Sequence, residues 1–151
     1  MAETINSDNK SNRRKILIIG GVAAGTSAAS KARRIDPMAD IKIIQEDPLV
    51  SYGSCGIPYV LEGLIEGFDK LIARSLEDFK NKHHIDILIN TVATRIDPSK
   101  NQLSIKNVHS KKEKVFDYDS LVIATGARAI VPEIRGLYEG NKAAPIRNLF
   151  F

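Results

Sequence analysis

The chain has one cysteine and no tryptophan in 151 residues. A single cysteine excludes an intrachain disulfide, so an oxidising compartment offers it nothing. No apolar run approaches the length a membrane-spanning helix needs. The opening MAETINSDNKSNRR has no apolar stretch of its own, and residues 1–14 are expected to form a polar, disordered tail rather than a signal peptide. The cytoplasm is the expected location, with no membrane partner. Neither sign of charge dominates: the net charge is +4. Aromatic residues make up 6% of the chain and are not interleaved with the basic ones, so nucleic acid is not an expected partner. His83, His84 and His109 are not at metal-ligand spacing, and no metal site is expected.

What is present suits one domain with a real core, since 43% of the residues are hydrophobic. Lys15-Ile16-Leu17-Ile18-Ile19 is a continuous apolar run ahead of a Gly-Gly pair, as in a strand buried on both faces of a parallel sheet. The alanine-rich segment from Val22 to Arg34 predicts a helix, with its basic residues at the end the dipole favours, and Asp36-Pro37 stops it. Ile41 to Gln45 is a second strand, completing a βαβ unit. Ser75 with Asp78 three residues on predicts a capped helix fading near His84, followed by a strand from Ile85 to Ile89. From Val92 the pattern changes to alternating apolar and polar residues between turn signals, which predicts an antiparallel β-meander. Leu121 to Ala124 returns to a buried apolar strand ending at Thr125-Gly126. The fold class is therefore α/β: a Rossmann-like βαβ unit in a parallel sheet, plus the meander.

Gly20-Gly21-Val22-Ala23-Ala24-Gly25 stands between strand and helix, where a dinucleotide fingerprint belongs. Such a turn needs glycine to bend sharply and to let helix and strand approach. The helix N-terminus then offers unpaired N–H groups to a pyrophosphate. Gly20 and Gly25 fit the pattern; Val22 takes the middle glycine's place and Gly21 stands one residue early. The ribose-binding acid is expected about twenty residues further on. That count reaches Gln45, with Glu46 beside it, and the sequence does not choose between them.

Cys55 stands in SYGSCGIPY. A lone cysteine is ordinarily small apolar filler. This one follows a Gly-Ser turn and precedes Gly56-Ile57-Pro58 at an expected helix start, where dipole and free N–H groups favour a thiolate. No second cysteine lies five residues away, where Val50 and Val60 stand, so a dithiol relay is not available.

Three segments together resemble the flavin-dependent pyridine nucleotide–disulfide oxidoreductases: KILIIGGVAAGTSAASKARRIDP, SYGSCGIPYVLEG and YDSLVIATGARAIVPEIRGL. The resemblance runs from Lys15 to Asn148 and is nearest to the single-cysteine branch, the coenzyme A-disulfide reductases and CoA-dependent persulfide reductases, with NADH oxidases and peroxidases as cousins. It implies FAD as cofactor and NAD(P)H as electron donor. FAD would lie along Gly20, Gly21, Ala24 and Gly25, with Gln45 where the family usually has glutamate. Val92 and Ala93 would meet the adenine, and Ala124-Thr125-Gly126 would close over the nucleotide. Ala129 replaces a proline common in the family. Cys55 would be the redox nucleophile. A CoA-type disulfide or persulfide would contact Ser27, Lys31, Arg34, Ser51 and Ser54, the last often asparagine in the family. Residues 15–148 would be the N-terminal part of the FAD/NAD(P)-binding domain and 149–151 a truncated end. The domain would thus be incomplete, with the NAD(P)H and dimerisation domains absent and a homodimer expected only of a full-length protein.

Overall fold

A computed structural model describes residues 13–127, 130, 138–139 and 142–143. The expectations for the tail before residue 13, for Ala129 and for residues 149–151 lie outside them.

The first strand is β1 (Lys15–Ile19), followed by helix α1 (Ala23–Ile35) and β2 (Asp40–Ile44). A 3-10 turn at Ser54–Gly56 leads into the short helix α2 (Ile57–Leu61), and a second 3-10 turn spans Phe68–Leu71. Then come α3 (Leu76–His83) and β3 (Ile85–Leu88). The meander is β4 (Thr91–Asp97), β5 (Gln102–Asn107) and β6 (Glu113–Asp117), after which β7 (Ser120–Ile123) returns to the first sheet. Two short strands, β8 (Tyr138–Glu139) and β9 (Lys142–Ala143), pair with each other. Among the described residues no helix is long and apolar enough to cross a membrane.

The main sheet has the order β3-β2-β1-β7, all parallel. β1 is a continuous apolar run because both its faces are covered, whereas β2 and β3 carry Lys42 and Asp86 mid-strand. β7, expected as a buried strand, is the last strand of the sheet among the described residues and is only partly covered, with Ile123 63% exposed. On one face of the sheet Ile16, Ile18, Ile41 and Ile43 pack against Ala29 of α1 and Phe79 of α3. On the other, Leu17, Ile19 and Ile44 pack against Leu103 and Ile105 of the meander. The domain is thus three layers: helices, parallel sheet, meander. Strict alternation in β5, where Leu103 and Ile105 point inward, follows from its having only one covered face.

Local signals set the helix ends. Ser75 and Asp78 form a reciprocal capping box on α3, and His84 closes that helix in the left-handed conformation (φ 50°). Arg33 looks like surface charge in the sequence, yet it is a clamp. Its guanidinium donates to the carbonyls of His83, His84 and Pro37 at 3.0, 2.6 and 2.7 Å, joining the end of α1 to the end of α3.

Candidate functional site

The strand-to-helix turn after β1 is locked by backbone contacts that only glycine permits. Gly20 has φ +105°, and a Cβ there would lie 2.2 Å from the Ala124 carbonyl oxygen. A Cβ on Gly25 would lie 1.8 Å from the Gly20 carbonyl oxygen. These two glycines let α1 and the end of β7 close on the turn. Gly21 is braced on both sides: its N–H donates to Gln45 Oε1 at 2.6 Å and its carbonyl accepts the Ser51 N–H at 2.9 Å.

In front of this turn is a cleft of about 540 Å³ at the C-terminal end of the parallel strands. Open α/β sheets bind ligands at that end, at the point where strand order reverses; here β1 lies between β2 and β7. Of the residues singled out by sequence as cofactor contacts, Gly20, Gln45, Glu46, Val92 and Ala93 line it, as do Ala124, Thr125 and Gly126. Gly21, Ala24 and Gly25 do not form its wall; Gly21 and Gly25 are buried behind it. α1 begins at this cleft without a capping side chain or an acidic residue in its first turn. An uncapped helix N-terminus facing a cleft of this size is the donor set a pyrophosphate takes, so the residues fit a dinucleotide such as FAD.

The two candidates for the ribose differ in surroundings. Gln45 is buried, with Oε1 taken by Gly21 and Nε2 donating to the Leu49 carbonyl at 3.2 Å. Glu46 is exposed on the cleft wall. Tyr52, Asp47 and Thr91 also line the cleft and carried no sequence signal of their own.

Cys55 is exposed, not buried filler. It lies in the turn Ser54–Gly56, where Ser54 reaches the cleft wall. The helix start expected beside it is present but slight: α2 has five residues and carries a proline in its first turn. The expected dipole contribution is correspondingly small, and Pro58 offers no N–H. What holds the cysteine loop is backbone pairing. Ser51, at φ +51°, donates to the Gly21 carbonyl and accepts the Ala73 N–H at 2.8 Å, and the Gly53 N–H donates to the Leu71 carbonyl at 2.8 Å.

A second cavity, of about 270 Å³, lies between α1 and the start of α3. It collects three of the five residues expected to contact substrate, Ser27, Arg34 and Ser51. Lys31 lies outside its lining, exposed on α1, and Ser54 belongs to the larger cleft instead. Arg74 and Ser30 line it too and were not found by sequence. The cysteine loop therefore stands between two cavities: Ser51 faces one, Tyr52 and Ser54 the other.

Known proteins share this fold. The sequence profile of the family described as pyridine nucleotide-disulphide oxidoreductase matches residues 14–148. The NAD(P)H coenzyme A polysulfide/persulfide reductase of Pyrococcus horikoshii is 39% identical over 125 residues, covering 83% of this chain and 27% of that protein. The NADH oxidase of Methanocaldococcus jannaschii is 37% identical over 122 residues, covering 81% of this chain and 27% of that protein. Among solved structures, reduced Bacillus anthracis CoADR-RHD superposes with a TM-score of 0.80 at 32% identity, over 83% of this chain and 22% of that one. The chain spans about a quarter of the length of the curated relatives it matches. With the profile matching from residue 14 to residue 148, over a fold shared with reductases of that kind, the chain belongs to the pyridine nucleotide-disulphide oxidoreductase family.

Proposed function

We propose that this chain is the FAD-binding and thiol-bearing part of an NAD(P)H-dependent reductase acting on coenzyme A disulfide or a CoA-type persulfide. One observation carries the proposal. The exposed Cys55 sits on a loop that is hydrogen-bonded, through Ser51, to the glycine turn of the nucleotide cleft. A thiol with access to a small-molecule disulfide is thereby held against a dinucleotide site.

In this proposal the N–H groups at the start of α1, around Ala24 and Gly25, receive the pyrophosphate. Glu46 accepts from the ribose hydroxyls, while Gln45 holds the turn. Val92 and Ala93 flank the adenine, and Ala124, Thr125 and Gly126 cover the flavin nucleotide. Bound FAD would supply the two-electron exchange between NAD(P)H and the sulfur. The Cys55 sulfur attacks one sulfur of the substrate disulfide; that S–S bond breaks, a mixed disulfide with Cys55 forms, and one thiol leaves. A lone exposed thiol of this kind suits the reducing cytoplasm.

A second reading is favoured by the NADH oxidase relative: the same sulfur would cycle through a sulfenic acid with peroxide or oxygen as acceptor. A third is a nucleotide-binding remnant without turnover, in which the cleft takes a dinucleotide and Cys55 does no chemistry. Purified chain incubated with CoA disulfide separates the three. Stoichiometric release of CoA thiol, absent in Cys55→Ser, is the expected result. Peroxide consumption at Cys55 with no CoA adduct would favour the oxidase reading, and an inert Cys55 the remnant.

A further inference from the structure

We infer that Tyr52 is the residue of the cleft that receives the flavin ring, through its aromatic face and its unpaired hydroxyl. The inference rests on the function proposed above.

Tyr52 is the one aromatic side chain among the described residues that line the cleft of about 540 Å³. It is half-buried, and its hydroxyl has no hydrogen bond among the described residues. A phenol so placed bonds only solvent, and a ligand that displaces the solvent must offer the hydroxyl a partner. The polar edge of an isoalloxazine carries carbonyl oxygens and ring nitrogens that accept such a bond. An aromatic face also suits a planar ring, because ring–ring contact adds to what buried area alone supplies.

The backbone fixes where this side chain stands. The Ser51 carbonyl accepts the Ala73 N–H and the Gly53 N–H donates to the Leu71 carbonyl, both at 2.8 Å, and Tyr52 bridges to Ile72 between them. A residue bonded at both flanks has already lost its backbone freedom, so a ligand that meets it does not bear that ordering cost. Ser51 and Tyr52 are adjacent yet line different cavities, and the same pairing sets which of them belongs to the cleft.

Placement within the cleft favours the flavin end over the adenine end. Glu46, Asp47 and Thr91 to Ala93 belong to the wall that follows β2 and opens β4. Tyr52 and Ser54 are contributed by the cysteine loop, three residues and one residue before Cys55. A group that exchanges electrons with that sulfur must lie against this part of the wall, and its aromatic member is Tyr52.

The test is titration of the full chain with FAD and with ADP, which keeps the adenine end and lacks the flavin. Neither measurement requires turnover. A tyrosine ring in contact with a flavin quenches its emission by electron transfer, so bound-state fluorescence reports the contact. The wild-type chain is expected to bind FAD with its emission quenched. Tyr52→Leu is expected to weaken FAD about tenfold, to restore the emission and to leave ADP affinity unchanged. Tyr52→Phe keeps the ring and loses the hydroxyl, so its FAD affinity should fall between the two; it also tests the hydroxyl should Tyr52→Leu fail to fold. A collapsed cleft would weaken FAD and ADP together. Equal FAD affinity in the wild type and both variants, an equal loss for the two ligands, or unquenched emission in the wild type overturns this inference and leaves the proposed function standing. Binding of neither ligand by the wild-type chain overturns both.

Discussion

Gln45 and Gly21 lie on different sides of the first βαβ crossover, and the Gln45 side-chain oxygen accepts the Gly21 N–H at 2.6 Å in a buried position. The same side chain donates to the Leu49 carbonyl, at the head of the loop that carries Cys55. Only an amide serves both partners, because it has an acceptor and a donor on one planar group. The residue in the expected ribose position is therefore a brace between the nucleotide turn and the cysteine loop.

That geometry makes Gln45→Ala costly. It leaves the buried Gly21 N–H without an acceptor, and the expected loss is about 1–3 kcal/mol in urea denaturation. Gln45→Glu keeps an acceptor but sets a carboxylate against the Leu49 carbonyl, so its stability should fall as the introduced carboxyl ionises. Wild-type stability in both variants would show that the brace contributes nothing.

Gly20 and Gly63 form a matched pair, both with positive φ. At Gly20 a Cβ would also overlap the Ala124 carbonyl, whereas nothing lies within 4 Å of one at Gly63. Gly20→Ala is expected to cost about 3–5 kcal/mol, and Gly63→Ala about 1–2 kcal/mol from backbone strain alone. Thermal melts of the two variants check the ranking. Equal losses would mean that the close approach of β7 to the turn is not tight.

Flavin binding by this chain gives a third test. FAD is expected to be retained weakly and to raise the melting temperature with concentration, approaching about 2.7 kcal/mol of stabilisation at one hundred times Kd. No steady-state NADH turnover is expected from this 151-residue polypeptide by itself. A melting temperature indifferent to FAD would remove the nucleotide from the cleft. Efficient turnover would show that the chain needs nothing more.

Asp78 provides a pH readout remote from the site. The Lys82 ammonium at 2.6 Å, then the Ser75 hydroxyl and N–H, hold its carboxyl below the usual carboxylate value. The folded value is depressed, so this contribution is fully present above the unfolded value and is lost as pH falls through the folded one. Asp78→Asn should therefore flatten the acid limb of the stability curve, modestly, since the pair is exposed and salt screens it. Urea midpoints from about pH 5 down to about pH 2 measure it; identical acid limbs for wild type and variant would count against the pairing.

Much of this domain is local in origin. The apolar runs of β1 and β2, the alanine-rich α1, the Ser75–Asp78 cap and the alternation of the meander are each written within one segment. They form where the period and cap residues place them. Gly20 and Gly25 were legible for the same reason, since a strand-turn-helix leaves few residue types able to make that bend.

The division of labour within the site was not legible, because it depends on partners far along the chain. Gln45 and Glu46 are adjacent and equally polar in sequence; only the arrival of Gly21 and Leu49 makes one a buried brace and leaves the other on the cleft wall. Arg33 and Arg34 are likewise neighbours, yet the first is consumed by the carbonyls closing α3 and the second faces a cavity. Arg74 joins that cavity across forty residues, through the Ala73–Ser51 hydrogen bond. Sequence by itself determined the elements and the lone sulfur, because propensity, period and composition act over a few residues. Only the tertiary structure decided which polar groups brace the fold and which stand at a cavity surface, because a hydrogen bond is settled by whichever partner the folded chain brings within reach.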